Sequence, residues 1–182
     1  MNQTLPDVFA YCPKCGTAAA STGRNPFECV PCGFRFFFGP TAAVAAIVTD
    51  AEGRVLFLKR AHDPGRGKLG LPGGFVDAGE GAEDAIIREV LEETSLKVIR
   101  SSYFASYPNS YVYRGLVLPV SDVFFRCDVD SFDALKSEPS EVEEFHFCHP
   151  TTKELEQMAF ESNRRAIARF MELTMKPARL SH

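Results

Sequence analysis

From residue 41 onward, hydrophobic positions follow the periods of strands and helices, with short polar or glycine-containing segments between them. Continuous or alternating apolar stretches indicate strands, whereas apolar residues spaced three and four apart indicate helices. The pattern predicts strands at Ala42–Thr49, Arg54–Arg60 and Glu141–Phe147, strand-rich segments at Leu96–Ser106 and at Tyr111–Cys127 with a break at Pro119, and helices at Glu80–Thr94, Thr152–Met158 and Ser162–Met175. This mixture of strands and helices is typical of an α/β domain.

Two local signals refine this pattern. The first two strands are separated only by Asp50-Ala51-Glu52-Gly53, which predicts a turn and therefore a hairpin. The last helix presents one apolar face and is predicted to end at Lys176-Pro177, because proline cannot continue a helix.

The composition is that of an ordinary globular protein, since 45% of the 182 residues are hydrophobic and 24% are charged. The formal net charge of −4 argues against a general attraction to nucleic acid or anionic lipid. The longest apolar runs, such as Ala42–Val48, are far shorter than the ~20 residues that a membrane-spanning helix needs. The N-terminal residues lack a basic segment followed by a long apolar stretch, so we expect a cytoplasmic protein.

Before residue 40 the chain contains two cysteine pairs, Cys12-Pro-Lys-Cys15 and Cys29-Val-Pro-Cys32, each followed by glycine. Two residues between the thiols allow one tight turn to present both sulfurs to a single ion, and the glycine tolerates the left-handed backbone that such a turn needs. Two such turns supply the four thiolates of a tetrahedral zinc site. The zinc is expected to be structural, because a Cys₄ site has no open coordination position.

A change in residue usage at Gly39-Pro40 predicts a domain boundary, with a zinc ribbon at residues 1–39 and a second domain at residues 40–182. A redox Cys-x-x-Cys motif is the alternative, but one pair would suffice for it and no thioredoxin-like pattern surrounds either pair. Residues 1–40 carry three basic and two acidic side chains, which does not favour nucleic-acid binding. The aromatic run Phe34–Phe38 is assigned to the ribbon core or to a domain interface, and Cys127 and Cys148 to small buried positions.

The candidate chemistry lies in the first long helix, where Glu89, Glu92 and Glu93 stand at i, i+3 and i+4. At ~100° per residue the three carboxylates share an arc of about 100° on one face. Such carboxylates repel one another unless a cation compensates, and Mg²⁺ and Mn²⁺ prefer oxygen ligands. An exposed acidic face is the alternative, but the glycine-rich segment Leu71–Phe75 before the helix favours close approach of a ligand. The apolar residues expected to face the core are Ile87, Val90 and Leu91.

The segment from residue 74 to residue 96 resembles the signature of the Nudix hydrolases, G-x5-E-x7-R-E-U-x-E-E-x-G-U, where U is a bulky aliphatic residue. The matching residues are Gly74, Glu80, Arg88, Glu89, Val90, Glu92, Glu93 and Leu96. The departure is Ser95, where the family usually has glycine; because this position helps to end the helix, a local stability cost is expected. The resemblance implies an α/β/α sandwich with a mixed sheet, here preceded by the Cys₄ zinc ribbon.

The resemblance also implies catalytic roles. Glu89, Glu92 and Glu93 resemble the carboxylates that bind Mg²⁺ or Mn²⁺, with the backbone carbonyl of Gly73 as a further ligand. Glu92 or Glu93 is the candidate for orienting or deprotonating the attacking water. Family members often recruit an acidic residue from a later loop, and Glu141 is the expected one.

Other positions of the signature have structural roles by the same resemblance. Gly74 belongs to the glycine turn, and Glu80 and Arg88 resemble an ion pair that fixes the loop against the helix. Glu144 is the second choice for the additional acidic ligand, and an exposed loop charge is the alternative for either glutamate.

The implied reaction is hydrolysis of the pyrophosphate bond in a nucleoside diphosphate linked to another moiety, such as NAD(H), ADP-ribose or a similar dinucleotide or nucleotide sugar. A zinc ribbon followed by a Nudix domain is similar to the arrangement in NADH pyrophosphatases. Their further motif, S-Q-P-W-P-F-P-x-S, is matched in part by Ser106, Pro108 and the aromatic Tyr111, although the chain has no tryptophan. Tyr107 and Tyr111 are candidates for stacking on a base, with packing in a strand as the alternative.

Two further functions remain open: an RNA-associated decapping-type hydrolase, and a non-catalytic nucleotide-sensing regulator that uses the zinc ribbon. The intact set of glutamates argues against the regulator. The expected partner is a small nucleotide substrate, with no membrane. The family resemblance also suggests a homodimer through the ribbon or through Ile167–Thr174, although burial within the monomer is favoured for this helix face.

Overall fold

The computed structural model describes residues 3–175. It contains nine strands and four helices within this range. The strands are β1 (Gln3–Thr4), β2 (Phe27–Glu28), β3 (Arg35–Phe36), β4 (Thr41–Val48), β5 (Val55–Arg60), β6 (Leu69–Gly70), β7 (Val98–Tyr113), β8 (Leu116–Val129) and β9 (Val142–Cys148). The helices are α1 (Leu5–Val8), α2 (Ala82–Thr94), α3 (Thr152–Gln157) and α4 (Glu161–Met175). The predicted stop at Lys176-Pro177 lies outside the described residues. No helix among those described is long and apolar enough to cross a membrane.

The chain forms two compact units. The first comprises the described residues up to Thr41 together with Ser110–Val120, a second segment that was not expected in this unit. In this unit β2 and β3 are antiparallel, and β1 runs parallel to the beginning of β8. Its small apolar cluster consists of buried Cys12, Phe27, Cys29 and Phe38, with Leu5, Phe9, Ala19, Cys32 and Phe34 packed against it. Phe34 and Phe38 of the aromatic run therefore contribute to the ribbon core, while Phe36 and Phe37 remain exposed.

The second unit comprises Ala42–Asn109 and the described residues from Ser121 onward. A three-stranded antiparallel sheet has the order β6-β5-β9, and β4 and β7 both pair with β8. Alternate residues of β4 point to opposite sides, as the pleat of a strand requires. On one side Val44, Ala46 and Val48 share an apolar cluster with Ile86 and Val90 of α2.

On the other side of β4, Ala45 and Ile47 share a second cluster with Ile167 and Phe170 of α4. Helices therefore cover strands from two sides, which confirms the predicted α/β/α sandwich. Because Ile167 and Phe170 are buried in this cluster, that face of α4 is covered within the monomer.

Two details of the predicted strands were wrong. The expected hairpin of the first two strands is reduced to a single bridge between Thr49 and Val55, because β4 pairs with β8 whereas β5 pairs with β6 and β9. Both strands are buried along most of their length, and each obtains a longer partner by diverging from the other. The expected break at Pro119 is absent, since proline lacks only its own N–H and a strand can continue where that donor is not needed.

Candidate active site

The glycine-rich loop before α2 is attached to the edge of β4 by backbone hydrogen bonds. The amide of Val44 donates to the carbonyl oxygen of Gly74 at 2.8 Å, and the amide of Ala46 donates to that of Pro72 at 2.7 Å. At Gly73 the backbone has φ +151°, and a Cβ there would overlap the carbonyl oxygen of Val44. Only glycine therefore allows the loop to lie so close to the strand.

Glu93 lies on the buried face of α2 rather than opposite the core. It follows Ile86 and Val90 at the spacing i, i+4, i+7, and its exposed fraction is 7%. Ile87 and Leu91, which the sequence analysis placed toward the core, are instead exposed. The prediction was wrong for these two because the buried face is centred on Ile86 and Val90. Ile87 and Leu91 each follow one of these residues and are therefore rotated by about 100° around the helix axis.

The amide of Gly73 donates to Oε2 of Glu93 at 2.8 Å, which fixes this buried carboxylate against the loop. Burial, together with the nearby carboxylates of Glu89 and Glu141, raises the pKa of Glu93 to about 8 despite this hydrogen bond. A buried carboxylate beside two others is costly to ionise unless positive charge is supplied.

Glu89 lies under Gly74. A Cβ at residue 74 would come within 2.5 Å of Oε1 of Glu89, so a side chain there would displace the carboxylate. Burial raises the pKa of Glu89, as do the carboxylates of Glu92 and Glu141, whereas Arg88 acts in the opposite direction. The two glycines therefore expose main-chain atoms, and no side chains, to Glu89 and Glu93.

Arg88 connects the helix to the loop. Its Nη2 donates to Oε1 of Glu80 at 2.6 Å and to the carbonyl oxygen of Phe75 at 3.1 Å. Its Nη1 donates to Oε1 of Glu89 at 2.8 Å and to Oε2 of Glu92 at 3.1 Å. These bonds raise the pKa of Arg88. One guanidinium thus holds the loop and two of the three helix glutamates at once.

Glu92 differs from the other two helix glutamates, because its side chain is 58% exposed and its carboxylate is turned toward Arg88. Within the described residues, the glutamates of α2 do not bring three carboxylate oxygens within 4.8 Å of one another. The structure therefore brings Glu89, Glu93 and Glu141 into electrostatic contact while Arg88 holds Glu89 and Glu92.

The two candidate loop glutamates have different surroundings. Glu141 lies close enough to Glu89 and Glu93 to raise the pKa of both. Glu144 is exposed, and its Oε1 lies 3.8 Å from Nζ of Lys59. The geometry therefore favours Glu141 over Glu144 as the additional acidic residue.

The four paired cysteines converge. The Sγ atoms of Cys12 and Cys32 are 3.7 Å apart, those of Cys15 and Cys29 are 3.6 Å apart, and all four lie within 4.8 Å of one another. The glycines that follow the pairs have φ +74° and φ +69°, and each donates its amide to the carbonyl oxygen of the first cysteine of its pair. This arrangement is compatible with a tetrahedral metal ion.

The family model of the NUDIX domain matches residues 39–170 of this chain. The chain belongs to the NUDIX domain family. A solved NUDIX hydrolase from Nitrosomonas europaea is similar in structure, with a TM-score of 0.65, 24% identity, and coverage of 92% of this chain and 94% of that one. The NUDIX domain of Shewanella oneidensis NrtR, solved in complex with ADP ribose, has a TM-score of 0.61 at 23% identity, with coverage of 76% and 91%.

Curated relatives of the NUDIX chain match shorter stretches. An ADP-ribose pyrophosphatase from Methanocaldococcus jannaschii is 41% identical over 63 residues, which are 35% of this chain and 37% of that protein. An NAD-capped RNA hydrolase NudC from Haemophilus influenzae is 33% identical over 102 residues, which are 54% of this chain and 38% of that protein. The matches therefore span less than half of each relative.

Of the two tyrosines predicted to stack on a base, the NUDIX chain places Tyr107 in the second unit and Tyr111 in the first. The ring of Tyr107 packs against Phe124 with a centroid distance of 6.0 Å, and the guanidinium carbon of Arg165 lies 4.3 Å from its centre. Arg165 and Phe124 therefore both contact this ring, and its stacking on a base stays a prediction.

The remaining cysteines of the NUDIX chain lie in the second unit. Cys127 is buried, and Cys148 is half-buried against the apolar cluster that contains Ile167 and Phe170 of α4. The ligand atoms of His146, Cys148 and Glu154 lie within 4.8 Å of one another, a grouping that the sequence analysis missed. Oε2 of Glu154 already accepts hydrogen bonds from the amide and the hydroxyl of Thr151 at the start of α3. This helix cap accounts for the position of Glu154.

Proposed function

We propose that this protein hydrolyses the pyrophosphate bond of a nucleoside diphosphate linked to another moiety, with NAD(H), ADP-ribose or a similar dinucleotide or nucleotide sugar as substrate. The observation that carries the proposal is the buried carboxylate of Glu93, held by the amide of Gly73 and facing Glu89 and Glu141. The NUDIX family membership and the pyrophosphatase name of one relative support the same reaction class.

The residues present fit a hard divalent cation. The carboxylate of Glu141 lies close enough to Glu89 and Glu93 to raise the pKa of both, so this group of carboxylates favours the binding of positive charge. Glu89, Glu93 and Glu141 would hold Mg²⁺ or Mn²⁺, together with Glu92 and the carbonyl oxygen of Gly73. When bound, the ion supplies Lewis-acid polarisation of the diphosphate oxygens.

The protein's own groups then have distinct tasks. Gly73 orients Glu93 through its amide, so that this carboxylate can align or deprotonate the attacking water. Glu92, held by Arg88, is the second candidate for this task. Arg88 and Glu80 position the loop, and Gly74 keeps the space above Glu89 free of a side chain.

We further propose that residues 1–39 form a zinc ribbon and that residues 40–182 form the hydrolase domain. Tetrahedral zinc with Zn–S bonds of about 2.3 Å separates its sulfurs by about 3.8 Å. The Sγ distances of 3.6 and 3.7 Å in the cysteine cluster agree with that value. Cys12, Cys15, Cys29 and Cys32 would fill the coordination sphere of Zn²⁺, which assigns the ion a structural role.

A substrate panel tests the proposed reaction. The full chain is assayed with Mg²⁺ or Mn²⁺ on NADH, NAD, ADP-ribose, diadenosine polyphosphates and nucleoside triphosphates. Glu92 and Glu93 are the candidates for orienting the attacking water, so Glu92→Gln or Glu93→Gln is expected to lower kcat by about 10²–10⁴-fold. Circular dichroism should show that each variant keeps the fold of the wild type. Glu83→Gln, in the exposed first turn of α2, is the matched control. Near-normal turnover in both the Glu92 and the Glu93 variants contradicts the assignment.

A second candidate substrate is RNA that carries a nucleotide cap. It is favoured by the relatives named NAD-capped RNA hydrolase NudC, which match about half of this chain. The same panel includes NAD-capped RNA beside free NAD, and the ratio of the two kcat/KM values decides between them. The absence of turnover on every compound, with nucleotide binding retained, supports the non-catalytic regulator instead.

A further inference from the structure

Besides Arg60 over Phe160, three arginines of the second unit each lie over an aromatic ring. The guanidinium carbon is 4.3 Å from the ring centre for Arg165 over Tyr107, 5.5 Å for Arg169 over Phe104 and 5.5 Å for Arg126 over Phe170. All three rings belong to, or pack against, the apolar cluster that α4 covers. The three cations therefore lie around one apolar cluster.

Two of these arginines line an open groove along α4, which we call the α4 arginine groove. Its lining residues are Tyr107, Arg165, Ala168, Arg169, Glu172 and Leu173, and its volume is about 380 Å³. Pockets of about 300–1,000 Å³ are typical of small-molecule sites in proteins. The groove is thus large enough for one nucleotide unit.

The charges in the groove are poorly balanced. Within the part of the chain that the structure describes, Arg126, Arg165 and Arg169 form no ion pair within 4.0 Å. Glu172 is the one acidic residue among those that line the groove. Glu161, the acidic residue at the start of α4, is bonded to Arg164, although Arg165 also helps to lower its pKa.

A guanidinium that lies over an aromatic ring keeps N–H donors that can form paired bonds to phosphate oxygens. The ring contact also restricts the long side chain, so that less entropy is lost when an anion binds. We propose that the α4 arginine groove binds the phosphate of a nucleotide, either free or within a single-stranded nucleic acid. The choice of a nucleotide as the anion rests on the proposed function.

Fluorescence anisotropy with a short labelled single-stranded RNA tests the groove, without added divalent metal so that no hydrolysis occurs. Unlabelled AMP serves as the competitor. Arg165→Gln with Arg169→Gln is expected to weaken RNA binding by about tenfold or more at moderate salt. The slope of log K against log[salt] should become shallower by about 1.4, since two phosphate contacts are lost.

Arg164→Gln is the matched control, because this exposed neighbour on α4 is already paired with Glu161. It should bind RNA as the wild type does. If the double variant does not fold, Arg169→Gln alone should reduce the salt slope by about 0.7. Unlabelled AMP and unlabelled RNA are compared as competitors of the labelled RNA at equal nucleotide concentration. Displacement by AMP identifies a free nucleotide as the ligand, whereas displacement by unlabelled RNA but not by AMP identifies a single strand.

Three results overturn the proposal: no binding of either probe by the wild type, equal affinity in the wild type and the folded double variant, or an equal loss in Arg164→Gln. Turnover of ADP-ribose by the wild type is measured separately with Mg²⁺. The reaction can therefore fail while the groove binds RNA, and the groove can fail while the reaction proceeds.

Discussion

Glu93 shows how a single residue can point to a candidate functional site. A carboxylate in the same stripe as Ile86 and Val90 replaces an apolar side chain at a position that the helix buries. This placement raises its pKa, which a purely structural helix would avoid. The spacing i, i+4, i+7 is visible in the sequence, but it was obscured because Ile87 and Leu91 also suggested an apolar face.

The pKa of Glu93 predicts how stability depends on pH. The folded value of about 8 exceeds the ordinary value of 4.5, so between these pH values the folded chain binds more protons than the unfolded chain. The free energy of unfolding contributed by this group is therefore present at low pH and falls as the pH rises toward 8. Urea denaturation without divalent metal should show this decline, on the order of a few kcal/mol, in the wild type.

Glu93→Gln should make the decline smaller, because glutamine does not titrate, while Glu89, whose pKa burial also raises, still contributes to it. Glu92→Gln, at the exposed position on the same helix, is the control and should retain it. An identical pH dependence in the wild type and Glu93→Gln would show that the buried carboxylate is not the cause.

At the scale of one element, the end of α2 shows how a departure from the family pattern is accommodated. Ser95 adopts the left-handed conformation that glycine would have, with φ 59° and ψ 11°, and its amide donates to the carbonyl oxygen of Leu91 at 2.8 Å. The helix thus ends at the same place, but with a residue that has a Cβ. The left-handed region costs such a residue about 1–2 kcal/mol.

Ser95→Gly is therefore expected to stabilise the protein by up to about 1 kcal/mol, after the greater backbone entropy of glycine in the unfolded chain is subtracted. Chemical denaturation of the two proteins measures the difference. Ser95→Ala, which retains the Cβ, should give no gain. A loss of stability in Ser95→Gly would contradict this account of the helix end.

The elements that the sequence predicted well are those with a strong period, such as α2, β4 and α4, whose bounds agree within two residues. Very short elements such as β6 were missed, because two residues carry no period. The turn at Arg114-Gly115, where both residues have positive φ, was also missed. The strand that became β7 was therefore expected to end before its observed end at Tyr113. Strand partners could not be predicted, since they depend on contacts between residues distant in the chain.

The candidate site was predictable to a similar extent. The spacing of the helix glutamates and the glycine loop is local, and the structure brings Gly73 to Glu93 and Arg88 to Glu80. The approach of Glu141 depends on how β9 pairs with β5, which the sequence alone does not determine. The contact of the Arg165 guanidinium with the Tyr107 ring likewise depends on how α4 packs, which the sequence alone does not determine.

At the scale of the whole molecule, the two units differ in what holds them together. The first unit has a small apolar cluster in which Cys12 and Cys29 are themselves members. The second unit has two large clusters, one on each side of β4. A segment of about forty residues buries too little apolar surface to be stable alone, so a bound metal is expected to supply much of the difference.

Zinc analysis tests this expectation. The purified chain should contain one zinc ion, released when a mercurial reagent modifies the thiols. Cys29→Ser should lose this zinc and become sensitive to proteases within residues 3–41, whereas Cys148→Ser, outside the cluster, should keep it. A full zinc content in Cys29→Ser would rule out the Cys₄ site.

The lack of side chains at Gly73 and Gly74 has a consequence for how such an enzyme could change its substrate preference during evolution. In the proposed reaction, their main-chain atoms, which are the same in every protein, cannot distinguish what is attached to either end of a diphosphate. Selectivity must be encoded in side chains elsewhere, which are free to diverge while the hydrolytic centre is left untouched. A lineage can in this way acquire new substrates without rebuilding its chemistry.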